Sequence, residues 1–82
     1  MKLKTINILQ TCDHGETIIG LFSFSDTPSG EREAEKLFTQ LATQQEGPDM
    51  GPFFTPKEIK LGWVGGELSM TDGWALMVIN SS

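Results

Sequence analysis

Residues 27–46, TPSGEREAEKLFTQLATQQE, decide the fold. Their apolar side chains fall at Ala34, Leu37, Phe38, Leu41 and Ala42, the i, i+3, i+4, i+7, i+8 spacing of a single helical stripe. Asp26, Thr27 and Ser29 each suit a helix cap, and Pro28 suits the first helical position. Glu31, Glu33 and Glu35 sit near the N-terminus, where the macrodipole favours them. Gly47-Pro48 stops the run, so the spacing predicts one amphipathic helix over Pro28–Gln45.

On either side the pattern is that of strands. Residues 3–12 read as a first strand, with Ile6, Ile8 and Cys12 on one face and Leu3, Leu9 and the threonines on the other. Asp13-His14-Gly15-Glu16 reads as a tight turn. Residues 17–25 read as a second strand, with Ile18, Phe22 and Phe24 on one side and Ile19 and Leu21 on the other. Its start is therefore apolar on both faces, where a solvated sheet face would alternate cleanly. Residues 47–54, with two Gly-Pro steps, read as a loop that carries Phe53 and Phe54. Thr55-Pro56-Lys57-Glu58 has the form of a capping box and opens a short helical turn ending near Gly62. The rival is a fifth strand, since Ile59, Leu61 and Trp63 alternate with Glu58, Lys60 and Gly62. Residues 67–71 and Trp74–Asn80 complete a hairpin, and the run Trp74–Ile79 marks a strand covered on both sides or central in its sheet.

The expected fold is a single α+β domain over residues 1–82. It is a two-layer sandwich with a mostly antiparallel four- or five-stranded sheet and one helix, in the order β-β-α-(short helical turn)-β-β. An 82-residue chain buries roughly 60–65% of the surface its unfolded form exposes, and its one cysteine allows no internal disulfide. Four strands spaced ~4.8 Å apart form a sheet wider than one ~10 Å helix can cover. One helix also leaves the opposite face bare, although Ile19, Leu21, Ala75, Met77 and Ile79 put apolar groups on both faces. A second copy covering that face is the expectation, which makes the protein a homodimer or part of a larger complex.

Composition narrows the function by exclusion. Net charge is −5, and the six bases are scattered, so no basic stripe exists to follow nucleic acid or an anionic membrane. No segment approaches the ~18 apolar residues of a membrane span. The apolar stretch after Lys2 and Lys4 is broken by Thr5, Asn7 and Gln10, short of the roughly seven-residue core of a signal peptide. A reducing, cytoplasmic setting is the expectation.

Cys12, Asp13 and His14 form the one cluster with reactive residue types. Read functionally, they are a thiol nucleophile beside a base, or part of a metal site. Read structurally, they are the end of a strand and a polar turn, and the structural reading is preferred: one Cys and one His fall short of a four-ligand zinc site. The Ser25–Gly30 loop precedes a helix N-terminus, but it lacks a phosphate-loop lysine and its neighbouring acids repel anions. Asp26 and Glu31 match no calcium-loop spacing. No cofactor or metal is indicated. Phe53, Phe54, Trp63 and Trp74 are candidates for an interaction surface, with core packing as the competing role. The favoured function is a non-enzymatic interaction or regulatory module acting as a homodimer. The alternative is a small enzyme or ligand-binding subunit whose site joins the Cys12–Glu16 turn to the Ser25–Gly30 loop across a subunit interface.

Overall fold

The computed structural model describes residues 5–46, 51–70 and 73–81. In chain order these form β1 (Thr5–Cys12), a 3-10 turn (Asp13–Gly15), β2 (Thr17–Ser25), α1 (Pro28–Thr43), α2 (Pro56–Gly65), β3 (Glu67–Ser69) and β4 (Ala75–Ser81). The strands pair in the order β2-β1-β4-β3, antiparallel throughout. The first and last strands thus form the centre, which explains why β4 is apolar on both sides.

α1 begins where the caps place it. Thr27 accepts a hydrogen bond from the Gly30 amide at 3.1 Å, and Pro28 opens the first turn. Gly30 is required here by close approach: a Cβ at this position would lie 1.9 Å from the Ser25 carbonyl oxygen, so the helix start rests directly on the end of β2. Gly30, Ala34, Phe38 and Ala42 are buried, and Leu37 and Leu41 flank them half-buried.

Two full helices cover the sheet, where one helix and a short turn are expected from the sequence; the element order is β-β-α-α-β-β. The capping box forms as read: Glu58 N–H donates to Thr55 Oγ1 at 3.2 Å, and Thr55 N–H donates to Glu58 Oε1 at 2.9 Å. The helix runs past Gly62, because that glycine serves packing rather than termination. A Cβ there would lie 2.9 Å from a Leu68 methyl. The i, i+4 pair Ile59 and Trp63 turns inward while Leu61 faces solvent, so the alternating strand reading fails. Gly66, at φ 85°, caps the helix in the left-handed region.

The core lies between these helices and one sheet face. It holds Ile6 and Ile8 of β1, Trp74 just before β4 and Leu76 within it, Ala34, Phe38 and Ala42 of α1, Ile59 of α2, and Phe54. Phe22 and Phe24 pack against it from β2. Phe22 lies over Gly20, where a Cβ would approach its ring to 2.9 Å. The expected loop 47–54 falls partly outside the described residues. Its flanks meet in an isolated bridge between Glu46 and Pro52, which brings Phe53 and Phe54 to the core.

The expected alternation in β2 is broken by a bulge. Gln10 pairs with Gly20 but Thr11 pairs with Ile18, so Ile19 is an extra residue. This moves Ile18 away from the Phe22 and Phe24 side and onto the opposite, open face.

Candidate functional site

The four aromatics expected as an interaction surface are held in or against the core. Phe54 and Trp74 are 5% and 6% exposed. Phe53 meets Phe54 edge-on with ring centroids 4.8 Å apart, and Trp63 meets Phe38 edge-on at 5.6 Å. Phe54 and Trp74 belong to the core, Phe53 and Trp63 are half-buried against it, and the outward-facing apolar surface is formed mainly by aliphatic residues elsewhere.

That surface is the sheet face opposite the helices. Strand pairing aligns Leu21 of β2, Leu9 of β1 and Met77 of β4 in one row across three strands, and Glu67 of β3 ends it. Ile18 and Ile19 lie beside this row on β2 and Ile79 beside it on β4; Leu21 is 64% exposed. The next row is polar on β2 and β1, at Ser23 and Asn7, and ends in Ile79 on β4. Ser23 Oγ donates to Asn7 Oδ1 at 2.6 Å, and Asn7 Nδ2 donates to the Ile79 carbonyl at 3.4 Å. No described element covers this face. A second exposed apolar pair, Leu61 and Val64, lies on the outer side of α2 beside Lys57 and Lys60.

The Cys12–Glu16 turn closes one end of the sheet. Asp13 and His14 both occupy the left-handed region, at φ 54° and 57°, which is uncommon for residues with a side chain. The His14 amide donates to the Gly73 carbonyl at 3.1 Å, which ties this turn to the turn before β4. A Cβ at Gly73 would lie 2.9 Å from that amide nitrogen, and φ 103° further requires glycine. Asp13 Oδ2 accepts from the Thr17 hydroxyl at 3.1 Å and more weakly from the Cys12 thiol at 3.7 Å. Desolvation and then the Asp13 carboxylate push the Cys12 thiol above its ordinary value, the reverse of what a nucleophile requires.

A notch of about 300 Å³ opens beside this turn, lined by Thr11, His14, Glu67, Met70, Trp74 and Met77 among others. Thr11 is 2% exposed, and its hydroxyl oxygen has no hydrogen-bond partner among the described residues. His14 lines the notch and Cys12 does not, so the sequence neighbours do not converge on one cavity. The Ser25–Gly30 loop is farther away still. Thr5 pairs with Ser25 and Cys12 with Thr17, which places the loop and the turn at opposite ends of the hairpin. Among the described residues no group of three His, Cys, Asp or Glu side chains could hold a metal ion, and no helix is long and apolar enough to cross a membrane.

The open face could be found in the sequence only through apolar residues in excess of what one helix covers. The notch had no such signal, because it arises from two turns, at His14 and Gly73, being joined by one hydrogen bond across 59 residues. No protein-family model, curated protein or solved structure matches the chain.

Proposed function

We propose that this chain is a non-enzymatic protein-interaction module that acts as a homodimer and uses the open face of its sheet as a docking surface. One observation supports this above the rest: both helices lie on one face, while the row Leu21, Leu9 and Met77, with Ile18, Ile19 and Ile79 around it, stays uncovered on the other. Contiguous exposed apolar surface of this kind marks interaction sites in soluble proteins. The raised thiol of Cys12 and the separation of the Cys12–Glu16 turn from the Ser25–Gly30 loop weigh against catalysis within one chain.

The test is the solution mass by light scattering over a concentration series, with and without chelator. A mass rising from 9.0 kDa to twice that value, indifferent to chelator, is the expected result. A protein that stays at 9.0 kDa throughout overturns the homodimer. The Thr11 hydroxyl in the notch, which has no partner among the described residues, favours a second reading, a small-ligand site at the Cys12–Glu16 turn. Thr11→Val and His14→Ala variants that leave stability and partner binding unchanged remove the residues that reading needs.

A further inference from the structure

The sheet ends in two unlike edges. β3 is three residues long and carries Glu67. β2 is nine residues long and contains no charged residue and no proline, in a chain of net charge −5. Soluble proteins blunt their edges with short strands, charges, prolines or bulges. β3 has the first two of these, and β2 has only the bulge at Ile19. No hydrogen bond from a described residue beyond β1 reaches the outer backbone row of β2.

We propose that this edge is the homodimer seam: β2 pairs antiparallel with β2 of a second copy and extends the sheet to eight strands. The proposal rests on the homodimer reading above and names the surface that makes the dimer. The occupant follows from symmetry and charge. An uncharged strand can meet its own copy without like charges in the seam, whereas the eleven acids on the rest of the chain repel a second copy elsewhere. Opposed residues in an antiparallel pair share a face, so a two-fold axis normal to the sheet must pass where one residue faces itself. The bulge at Ile19 ends the regular stretch, which leaves 20–25, and an axis at Phe22 pairs residues 20–24 with their copies. In this register Phe24 of one copy faces Gly20 of the other, where each chain's own Phe22 ring already lies, and Leu21 faces Ser23. Helices of both copies stay on one side. The two open faces merge on the other side into a single surface that carries both Leu21, Leu9 and Met77 rows.

The seam also sets the Asp13–Glu16 turn of one copy beside the Ser25–Gly30 loop of the other, two segments that one chain holds apart. Glu16 and Asp26 meet there as like charges, which cost little on an exposed, salt-screened rim. Five paired residues span about 17 Å; at a depth of roughly 10 Å they bury on the order of 350 Å² over both copies. This is in the range of small, transient interfaces, so the dimer is expected to form over tens to hundreds of micromolar.

The experiment compares wild type with Leu21→Lys, Leu21→Glu and Ile79→Lys by light scattering over that range. Leu21 and Ile79 lie on the same open face, on β2 and β4 respectively, and both are exposed, so neither charge enters the core. Wild type is expected to dimerise, Leu21→Lys to weaken association at least tenfold, an equal mixture of Leu21→Lys and Leu21→Glu to restore it, and Ile79→Lys to stay within about twofold of wild type. Amide exchange of wild type gives a readout independent of any variant's folding: amides within 20–24 should exchange more slowly as concentration rises. A wild-type dimer that is lost in Ile79→Lys, or kept in Leu21→Lys, or without concentration-dependent protection in β2, overturns the edge pairing while the homodimer stands. A wild-type monomer at every concentration overturns both.

Discussion

Ile8 and Leu9 are neighbours on the same central strand and are built from the same atoms, yet their surroundings differ completely. Ile8 is fully buried beneath α1 and α2, packed with Ile6, Phe38 and Leu76. Leu9 lies on the bare face, flanked by Leu21 and Met77. The period of two along a strand sends each to its own side, and what covers that side sets its energetic role. Apolar character alone therefore does not define a core position. Here the helices convert one face into core and leave the other as surface.

Truncation should break this symmetry of composition most sharply. Ile8→Ala removes close-packed contacts and leaves a cavity, so it should cost about 2–5 kcal/mol. An 82-residue domain has roughly 4–12 kcal/mol in total, so this variant approaches unfolding. Leu9→Ala in dilute solution should cost less than about 1 kcal/mol, because water already reaches that face. Urea unfolding of both variants measures the difference. Equal costs would mean that the open face is covered even in the monomer.

The next effect concerns how the cover is attached. Gly30→Ala places a methyl group against the Ser25 carbonyl, a backbone atom that cannot rotate away. The start of α1 must lift from the end of β2, at a cost of about 1–3 kcal/mol. Ordinary helix propensity predicts the opposite sign, since alanine is the better helix former. Thermal unfolding of Gly30→Ala therefore separates a contact between elements from an intrinsic preference.

These two cases also show how much the sequence disclosed. The stripe Ala34, Leu37, Phe38, Leu41 and Ala42, the cap at Thr27 and the Thr55–Glu58 box were legible, because each is decided by residues within one or two turns. The length of α2 was not. Gly62 has the chemistry of a terminator, and only the nearness of Leu68, brought in by the β3–β4 hairpin, makes it a packing residue. The β2 bulge was equally hidden: Ile18 and Ile19 read as opposite faces until the pairing with Gln10 and Thr11 is known. Of the candidate site, the bare face was legible as an excess of apolar residues. The choice between its edge and its centre depends on strand order, which periodicity does not encode.

The smaller effects test how each helix is anchored, since α2 relies on its capping box where α1 relies on a close backbone contact. Thr55→Ala removes the acceptor for the Glu58 amide and should cost about 1 kcal/mol, read as a lower urea midpoint with an unchanged slope. Glu58→Ala should lower the midpoint in the same direction, and hydrogen exchange should show faster opening at 55–60 than in β1.

The smallest expected effect is a pH dependence. The Thr55 backbone amide, and after it the Thr55 side chain, hold the Glu58 carboxyl below its ordinary value. The folded state thus binds this proton less readily than the unfolded state does. The resulting stabilisation is present above the unfolded value of ~4.3 and is lost as pH falls through the depressed folded value. Glu58→Gln keeps an acceptor oxygen but cannot titrate, so the wild-type advantage over this variant should shrink as pH drops from 6 to 3. Paired urea titrations at a series of pH values check this. A wild-type advantage that persists at pH 3 would show that the box works through geometry alone, and that the two helices are anchored more alike than their sequences suggest.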